Sequence, residues 1–81
     1  MRFKRNISIL EFISVVADCD GNVTFRSPKG DKLDLKSNFN QYFFVSMAND
    51  LKLLYASDVQ VELESDKERL RPYLMDQTES E

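Results

Sequence analysis

Several side chains in this sequence belong to types that catalyse reactions, but their arrangement does not form a catalytic set. Cys19 lies between Asp18 and Asp20, whose negative charges are expected to raise the pKa of the thiol and disfavour the reactive thiolate. The chain contains no histidine that could act as a base. Glu62 and Glu64 share one face of a predicted strand, but a solvated strand face is the simpler interpretation. We therefore predict that the protein is not an enzyme and uses no cofactor, and a lone cysteine cannot form a cysteine metal site.

Two serines stand at predicted helix starts, where backbone N–H groups and the helix dipole favour an anion. Ser37 precedes the middle predicted helix, and a phosphate attached to it would be electrostatically favoured there. Ser8 precedes the first predicted helix, and the basic residues before it, Arg5 among them, could complete a small anion-binding site. For both serines the alternative is an ordinary N-cap, which is the simpler interpretation.

Aromatic residues make the middle predicted helix a candidate interaction surface. They are Phe39, Tyr42, Phe43, Phe44 and Tyr55. A helix that packs on a sheet buries only part of its circumference, and these side chains extend around more than one face. Either the segment that follows folds back and covers them, or some of them are exposed and contact another protein. The sequence leaves both alternatives open.

The charge balance bears on the class of partner. The chain has 11 basic and 14 acidic residues, and its net charge of -3 argues against a nucleic acid or an anionic membrane as the partner. No apolar run approaches the ~20 residues of a membrane span, and the first residues lack the pattern of a signal peptide, so we expect a cytoplasmic protein. The predicted partner is another protein or a second copy of the chain.

Alternation of apolar and polar residues predicts the strands. The stretch 22–37 has this alternation on both sides of a Pro-Lys-Gly turn at 28–30, which is typical of a β-hairpin. A shorter alternation at 1–7 predicts a first strand, and a clear one at 58–64 predicts a fourth.

Capping signals predict the first and last helices. Ser8 and Glu11 form a capping box that opens a helix running to about residue 18, and Gly21 is expected to follow it in the left-handed conformation. A second capping box begins at Ser65 and opens the last helix, which Pro72 limits.

The middle helix is predicted to begin at Ser37 or Asn38. Its apolar residues recur every three or four positions and form a wide apolar stripe. These residues are Phe39, Phe43, Met47, Leu51 and Leu54. Residues 49–50 could interrupt the helix, and 51–55 could instead form a strand or a loop.

The predicted order is strand, helix, strand, strand, helix, strand, helix. It indicates an α+β domain over residues 1–76, followed by an acidic tail at 77–81 that we expect to be disordered. The fourth strand exposes Glu62, whereas the first and second strands expose Lys4 and Arg26. Because opposite charges attract across strands, the fourth strand is predicted between the first and second, in an antiparallel sheet of order 1-4-2-3 with the helices on one face.

The same passages resemble the histidine-containing phosphocarrier HPr of the sugar phosphotransferase system. The resemblance lies in Asn22-Val-Thr-Phe-Arg, in Gly30-Asp-Lys-Leu-Asp-Leu-Lys-Ser37 and in Val59-Gln-Val-Glu-Leu, and the order of elements matches along nearly the whole chain. It implies an HPr-like open-faced β-sandwich and equates Ser37 with the regulatory serine of that family. The family carries phosphate on a histidine at the start of the first helix, and this chain has no histidine, which excludes phosphohistidine transfer.

We therefore expect a non-catalytic HPr-like domain that acts by contact with another protein or with a second copy, through the region from Phe39 to Tyr55. A signalling protein regulated by phosphorylation of Ser37 is the alternative from a different class. Binding of a small ligand is a third hypothesis, and it has the least support because no acid, base and nucleophile converge.

Overall fold

The computed structural model describes residues 1–75, and the tail predicted at 77–81 lies outside the described residues. Within 1–75 the strands form two antiparallel sheets, and four helices accompany them, so the predicted α+β class is confirmed. The strands are β1 (Arg2–Phe3), β2 (Val23–Arg26), β3 (Lys32–Asp34), β4 (Asp58–Val61) and β5 (Leu74–Met75). The helices are α1 (Ile9–Ala17), α2 (Asn38–Met47), α3 (Leu51–Ala56) and α4 (Glu64–Leu70). None of these helices is long and apolar enough to cross a membrane.

The predicted hairpin is confirmed as β2 and β3. Phe25 lies opposite Leu33 in the antiparallel register. In the turn, Gly30 has a φ of +96°, which glycine adopts without the steric cost of a Cβ, and its N–H donates to the Ser27 carbonyl at 3.1 Å. The sequence signal succeeded here because the alternation and the turn residues favour the same structure.

The larger sheet has the order β3-β2-β4. Val23, Phe25, Val59 and Val61 are buried on its inner face, whereas Gln60 on β4 is exposed. The charge pairing differs from the predicted one, because Asp58 rather than Glu62 lies opposite Arg26.

The first strand does not complete this sheet as predicted. β1 pairs with β5, with Arg2 opposite Met75, to form a second sheet of two strands. Met1 lies beside β4, where it accepts a hydrogen bond from the Val59 N–H at 2.6 Å and donates one to the Val59 carbonyl at 2.8 Å. The chain then turns away, and the Lys4 N–H donates to the Tyr73 carbonyl at 2.9 Å. A two-residue strand such as β5 is too short to show alternation, so the sequence did not predict it.

Helix α1 begins and ends as predicted, but Gly21 after it has a different conformation. The Ser8 hydroxyl oxygen accepts a hydrogen bond from the Glu11 N–H at 3.3 Å, which makes it the N-cap. The prediction of a left-handed Gly21 is wrong, because within residues 1–75 the positive φ values belong to Asn6 and Gly30. Gly21 is required for a different reason: a Cβ at that position would lie 2.7 Å from Cγ of Leu63.

Helix α4 begins one residue before its predicted capping box. Its N-cap position is Leu63, which makes no side-chain capping bond, so the capping box predicted at Ser65 is wrong. The reason is that Asp66, inside that box, turns inward to the loop after α1. The helix ends at Leu70, ahead of Pro72, and Leu74 lies in β5.

Four phenylalanines from four different elements form the centre of the core. Phe3, Phe12, Phe25 and Phe44 are each at most 1% exposed. The Phe12 ring meets the Phe3 ring edge to face with centroids 5.1 Å apart, and Phe44 meets Phe25 in the same way at 5.0 Å. Aromatic pairs of this geometry add about 0.5–1.5 kcal/mol each to the stabilisation from burial alone. The ring cluster therefore fixes α1 and α2 against the sheet.

Candidate functional site

The most exposed apolar surface of the described chain lies on α2. Phe39, Tyr42 and Phe43 are 71%, 84% and 52% exposed. They occupy positions i, i+3 and i+4, which adjoin on the surface of a helix. The Phe39 and Phe43 rings meet edge to face with their centroids 5.1 Å apart. We call these three side chains the α2 face.

The orientation of α2 explains why these aromatics are exposed. Phe44 is the residue that α2 buries, and the C-cap Ala48 is buried as well, whereas Phe39 and Phe43 lie on the exposed side. At the start of the helix, the Gln41 side-chain amide donates to the Leu35 carbonyl at 2.7 Å. The amide of Asn40 donates to the Asp34 carbonyl at 3.2 Å. These two bonds hold the first turn against the end of β3 and set the rotation of the helix.

The five aromatics proposed from the sequence as an interaction surface are thus divided. Phe44 is fully buried, so its assignment to a surface is wrong. Tyr55, on α3, is half-buried, and the Arg5 guanidinium lies 4.9 Å from its ring centroid. The remaining three form the α2 face. The two alternatives left open by the sequence therefore both hold in part, because some of the aromatics are core residues and some are exposed.

No residue of α2 carries a charge. The helix reads Asn-Phe-Asn-Gln-Tyr-Phe-Phe-Val-Ser-Met, although 31% of the whole chain is charged. An exposed helix face normally carries Lys, Glu, Arg or Asp, which keep it in water. The combination of exposed aromatics and absent charge distinguishes α2 from α1 and α4, which both carry charged residues on their exposed sides.

Tyr42 stands between two shallow clefts. One is about 440 Å³ and is formed partly by Ile13 of α1, and the other is about 450 Å³ and lies over Phe39 and Phe43. The first is lined by Ile13, Asn38, Gln41, Tyr42, Val45, Ser46 and Asn49, and the second by Phe39, Tyr42, Phe43 and Ser46. Both clefts open to solvent on one side of the molecule. The surface is therefore a ridge with a groove on either side, which suits the packing of another helix.

A second cluster, of polar groups, holds the end of α1. The buried carboxylate of Asp66 accepts hydrogen bonds from the Gly21 N–H at 2.7 Å and the Asp20 N–H at 3.1 Å. The Lys36 ammonium donates to the carbonyls of Val16, Ala17 and Cys19. Arg69 donates to the Asp18 carbonyl at 3.2 Å. We call Lys36, Asp66 and Arg69 the clasp, and their cations lie at the negative end of the α1 dipole.

The contacts of the clasp shift the pKa of Asp66 and of the neighbouring Cys19. The Gly21 N–H chiefly lowers the pKa of Asp66, against the opposing effect of burial, and Arg69 adds to the lowering. Burial and then the Asp66 carboxylate raise the pKa of the Cys19 thiol. The predicted direction for Cys19 is therefore confirmed, but burial and Asp66 are the causes rather than its neighbours in sequence.

The remaining predicted sites do not join either cluster. Ser8 caps α1, and the Arg5 guanidinium lies over the Tyr55 ring. Ser37 occupies the N-cap of α2 without a side-chain capping bond. Within residues 1–75, no three side chains of His, Cys, Asp or Glu converge as a group able to hold a metal ion. Sequence reasoning missed Asp66, because its position in a capping box offered a local role for the whole segment.

Comparison with known proteins returned no relative. No family model, no curated protein and no solved structure matches this chain. The resemblance to HPr remains a prediction from the sequence, and the function has to be inferred from the two clusters. The clasp satisfies its own polar groups and stabilises the fold, whereas the α2 face has no partner among the described residues. The α2 face is therefore the candidate functional site.

Proposed function

We propose that this chain is a non-catalytic domain that acts by binding a protein through the α2 face. The observation that carries the proposal is the exposure of Phe39, Tyr42 and Phe43 side by side on a helix without a single charge. Aromatic residues dominate the binding energy of protein interfaces, and they are costly to leave in water as a contiguous group. The two bonds from Asn40 and Gln41 make the surface rigid before binding, which lowers the entropic cost of association.

We further propose that the architecture is a variant of the HPr-like open-faced sandwich. The order β4-β2-β3 and the contact of Met1 with Val59 support it, since both are elements of a sheet ordered 1-4-2-3. The pairing of β1 with β5 is the departure from it. Because the chain has no histidine, a domain of this kind cannot carry phosphate in the manner of that family. Contact with a partner is the activity that remains.

Site-specific photo-crosslinking in cells tests the proposed interaction. A benzoyl-phenylalanine at position 42 should give a crosslinked protein adduct, because Tyr42 is 84% exposed at the centre of the face. Leu10 provides the matched control, since it is a large apolar residue of α1 that is 71% exposed. The same crosslinker at position 10 should give no comparable adduct. Equal yields at both positions, or no adduct at position 42, would contradict a specific binding face on α2.

One observation favours a second function, regulation through phosphorylation of Ser37. The hydroxyl of this N-cap makes no capping hydrogen bond, and the first turn of α2 contains no acidic residue that would repel a phosphate. A phosphate at this position would gain hydrogen bonds from the N–H groups at the start of the helix. Incubation with a bacterial HPr kinase should add one phosphate to the intact mass. The addition should disappear in Ser37→Ala and persist in Ser8→Ala, and an unmodified wild-type chain would rule this function out for that kinase.

A further inference from the structure

We infer that the protein bound by the α2 face is a second copy of this chain, in a two-fold contact of α2 against α2. This inference rests on the proposed function, because it names the partner of the same surface. The clefts beside Tyr42, the clasp and the polar outer face of the larger sheet are the other features of the described chain that could hold a ligand. The clasp has its polar atoms satisfied internally, and the outer sheet face lacks an apolar anchor, so α2 carries the inference furthest.

The absence of charge on α2 is the first argument for self-association. In a two-fold interface each residue faces the same surface of the other copy, so every charged group near the axis would meet a like charge. Each chain has a net charge of -3, which makes such repulsion the main obstacle to pairing. A face for an acidic or basic partner would carry the complementary charge. Helix α2 carries neither sign, which suits contact with itself.

The edge of the face supports the same partner. Beyond Phe43, a cleft of about 320 Å³ is lined by Asp31 and Lys32 among other residues. Both signs are therefore present together at this edge, and a second copy would meet an electrically mixed surface. Charges at the rim of an interface contribute to orientation and association rate more than to affinity.

The shape of the face is also self-complementary. Tyr42 forms a ridge, and a groove lies on each side of it. When two such helices cross, the ridge of each can enter a groove of the other, which is how helices pack in protein cores. The residues that follow the described part are also unsuited to cover the face. The residues after the described part read Asp-Gln-Thr-Glu-Ser-Glu and contain no large apolar side chain.

The area available predicts a weak dimer. With the exposed fractions given above, the three aromatics offer about 400 Å² per copy, taking ~200 Å² for a whole aromatic side chain. A stable interface of standard size buries about 800 Å² per partner. Flanking polar residues of α2 have to contribute the rest, so we expect dimerisation at micromolar to millimolar concentration rather than a permanent dimer.

Sedimentation equilibrium of the full chain tests the inference. From about 10 μM to about 1 mM, the range of weak interfaces, the average mass should rise from 9.5 kDa toward twice that value. Tyr42→Asp places like charges face to face near the axis and should raise the dissociation constant at least tenfold. Leu10→Asp adds the same charge at an equally exposed site on α1 and should leave the dissociation constant unchanged. Circular dichroism of both variants should match the wild type, since both positions are solvent-exposed.

The outcomes separate this inference from the proposed function. A chain that stays at 9.5 kDa up to about 1 mM overturns the inference. If crosslinking at position 42 then captures a different protein, the binding function stands and only the identity of the partner is wrong. If it captures nothing, both are wrong. A dimer that Tyr42→Asp and Leu10→Asp affect equally also overturns the inference, because the contact between copies would then lie elsewhere.

Discussion

Asp66 is the side chain on which the segment after α1 depends most. It lies 45 residues from Gly21 along the chain, yet its carboxylate accepts the N–H groups of Gly21 and Asp20. Buried N–H groups that lose their acceptor are costly, since water cannot reach them. The Cys19 thiol donates to the Val15 carbonyl at 3.5 Å, and its pKa is raised by burial and by the same Asp66 carboxylate. The single buried side chain of Asp66 thus accepts hydrogen bonds from two N–H groups of the loop that links α1 to β2.

Replacement of Asp66 by asparagine should destabilise the protein and change its response to acid. Asparagine keeps one acceptor but directs its NH₂ group at the other N–H donor, so the urea midpoint at pH 7 should fall. The folded-state pKa of Asp66 lies below its usual value, so its contribution is complete above the unfolded pKa of about 3.9 and is lost as the pH falls through the folded pKa. Urea titrations of the wild type and Asp66→Asn at neutral and acidic pH measure both effects.

The control for this prediction is Glu64→Gln. Glu64 is exposed and pairs with Lys67 at 3.0 Å on the surface of α4, where ion pairs contribute little. Its urea midpoint should stay near that of the wild type at neutral pH. An Asp66→Asn protein that loses stability in acid to the same extent as the wild type would show that other carboxylates cause the acid response.

At the scale of single residues, the sequence predicted which side chains matter better than it predicted what surrounds each of them. The raised pKa of Cys19 followed from acidic neighbours, but the carboxylate that acts on it comes from α4. The aromatics of α2 were identified, but Phe44 could not be distinguished from Phe43, because apolar residues on several faces leave the rotation of a helix undetermined. That rotation depends on the bonds of Asn40 and Gln41 to the end of β3, which are tertiary contacts.

At the scale of elements, the break between α2 and α3 shows how one residue redirects the chain. Asp50 stands outside both helices with φ -90° and ψ 97°, and its carboxylate accepts the Leu53 N–H at 3.2 Å. It is therefore the N-cap of α3, and α2 ends before it at Met47, with Ala48 as its C-cap. The sequence allowed an interruption of the helix at 49–50, and the structure has one there. The sequence also allowed a strand or a loop at 51–55, but residues 51–56 are helical. A helix of six residues depends on such a cap, since it makes few internal bonds.

Asp50→Ala should lower the free energy of unfolding by about 1 kcal/mol, the typical contribution of an N-cap. The loss arises because the Leu53 N–H would no longer have its side-chain acceptor. Chemical denaturation at low protein concentration measures it. Asn49→Ala is the matched control, since Asn49 is the exposed neighbour and is not the cap. Equal losses in the two variants would indicate that α3 does not depend on this cap.

At the scale of the whole molecule, one side of helix α2 packs in the core and the opposite side carries the α2 face. The adjacent residues Phe43 and Phe44 are 52% and 0% exposed, so neighbouring identical side chains have opposite surroundings. The hairpin was predictable from alternation, and β4 lies beside β2 as predicted, although Asp58 rather than Glu62 faces Arg26. The pairing of β1 with β5 was not predictable, because both strands have only two residues. Their pairing depends on where the chain runs after it leaves α4.

Phe44→Ala should cost about 3–5 kcal/mol, as expected for removal of a buried ring. That is a large share of the roughly 4–12 kcal/mol expected for a domain of this size. Phe43→Ala should change stability by less than about 0.5 kcal/mol, since its ring is mostly in solvent. Thermal or urea unfolding at low concentration, where the chain is monomeric, compares the two. Similar losses in both variants would contradict the assignment of Phe44 to the core and Phe43 to the surface.

The pairing of β1 with β5 also constrains the order in which the domain can be completed during synthesis. Arg2 leaves the ribosome before its strand partner Met75, which lies 73 positions behind it. Phe3 therefore stays without the strand that pairs with it while the residues between the two strands are translated. Such distant contacts slow folding, because the closure of a long loop precedes the gain from the contact. The second sheet can consequently form only after Leu74 and Met75 have emerged from the exit tunnel.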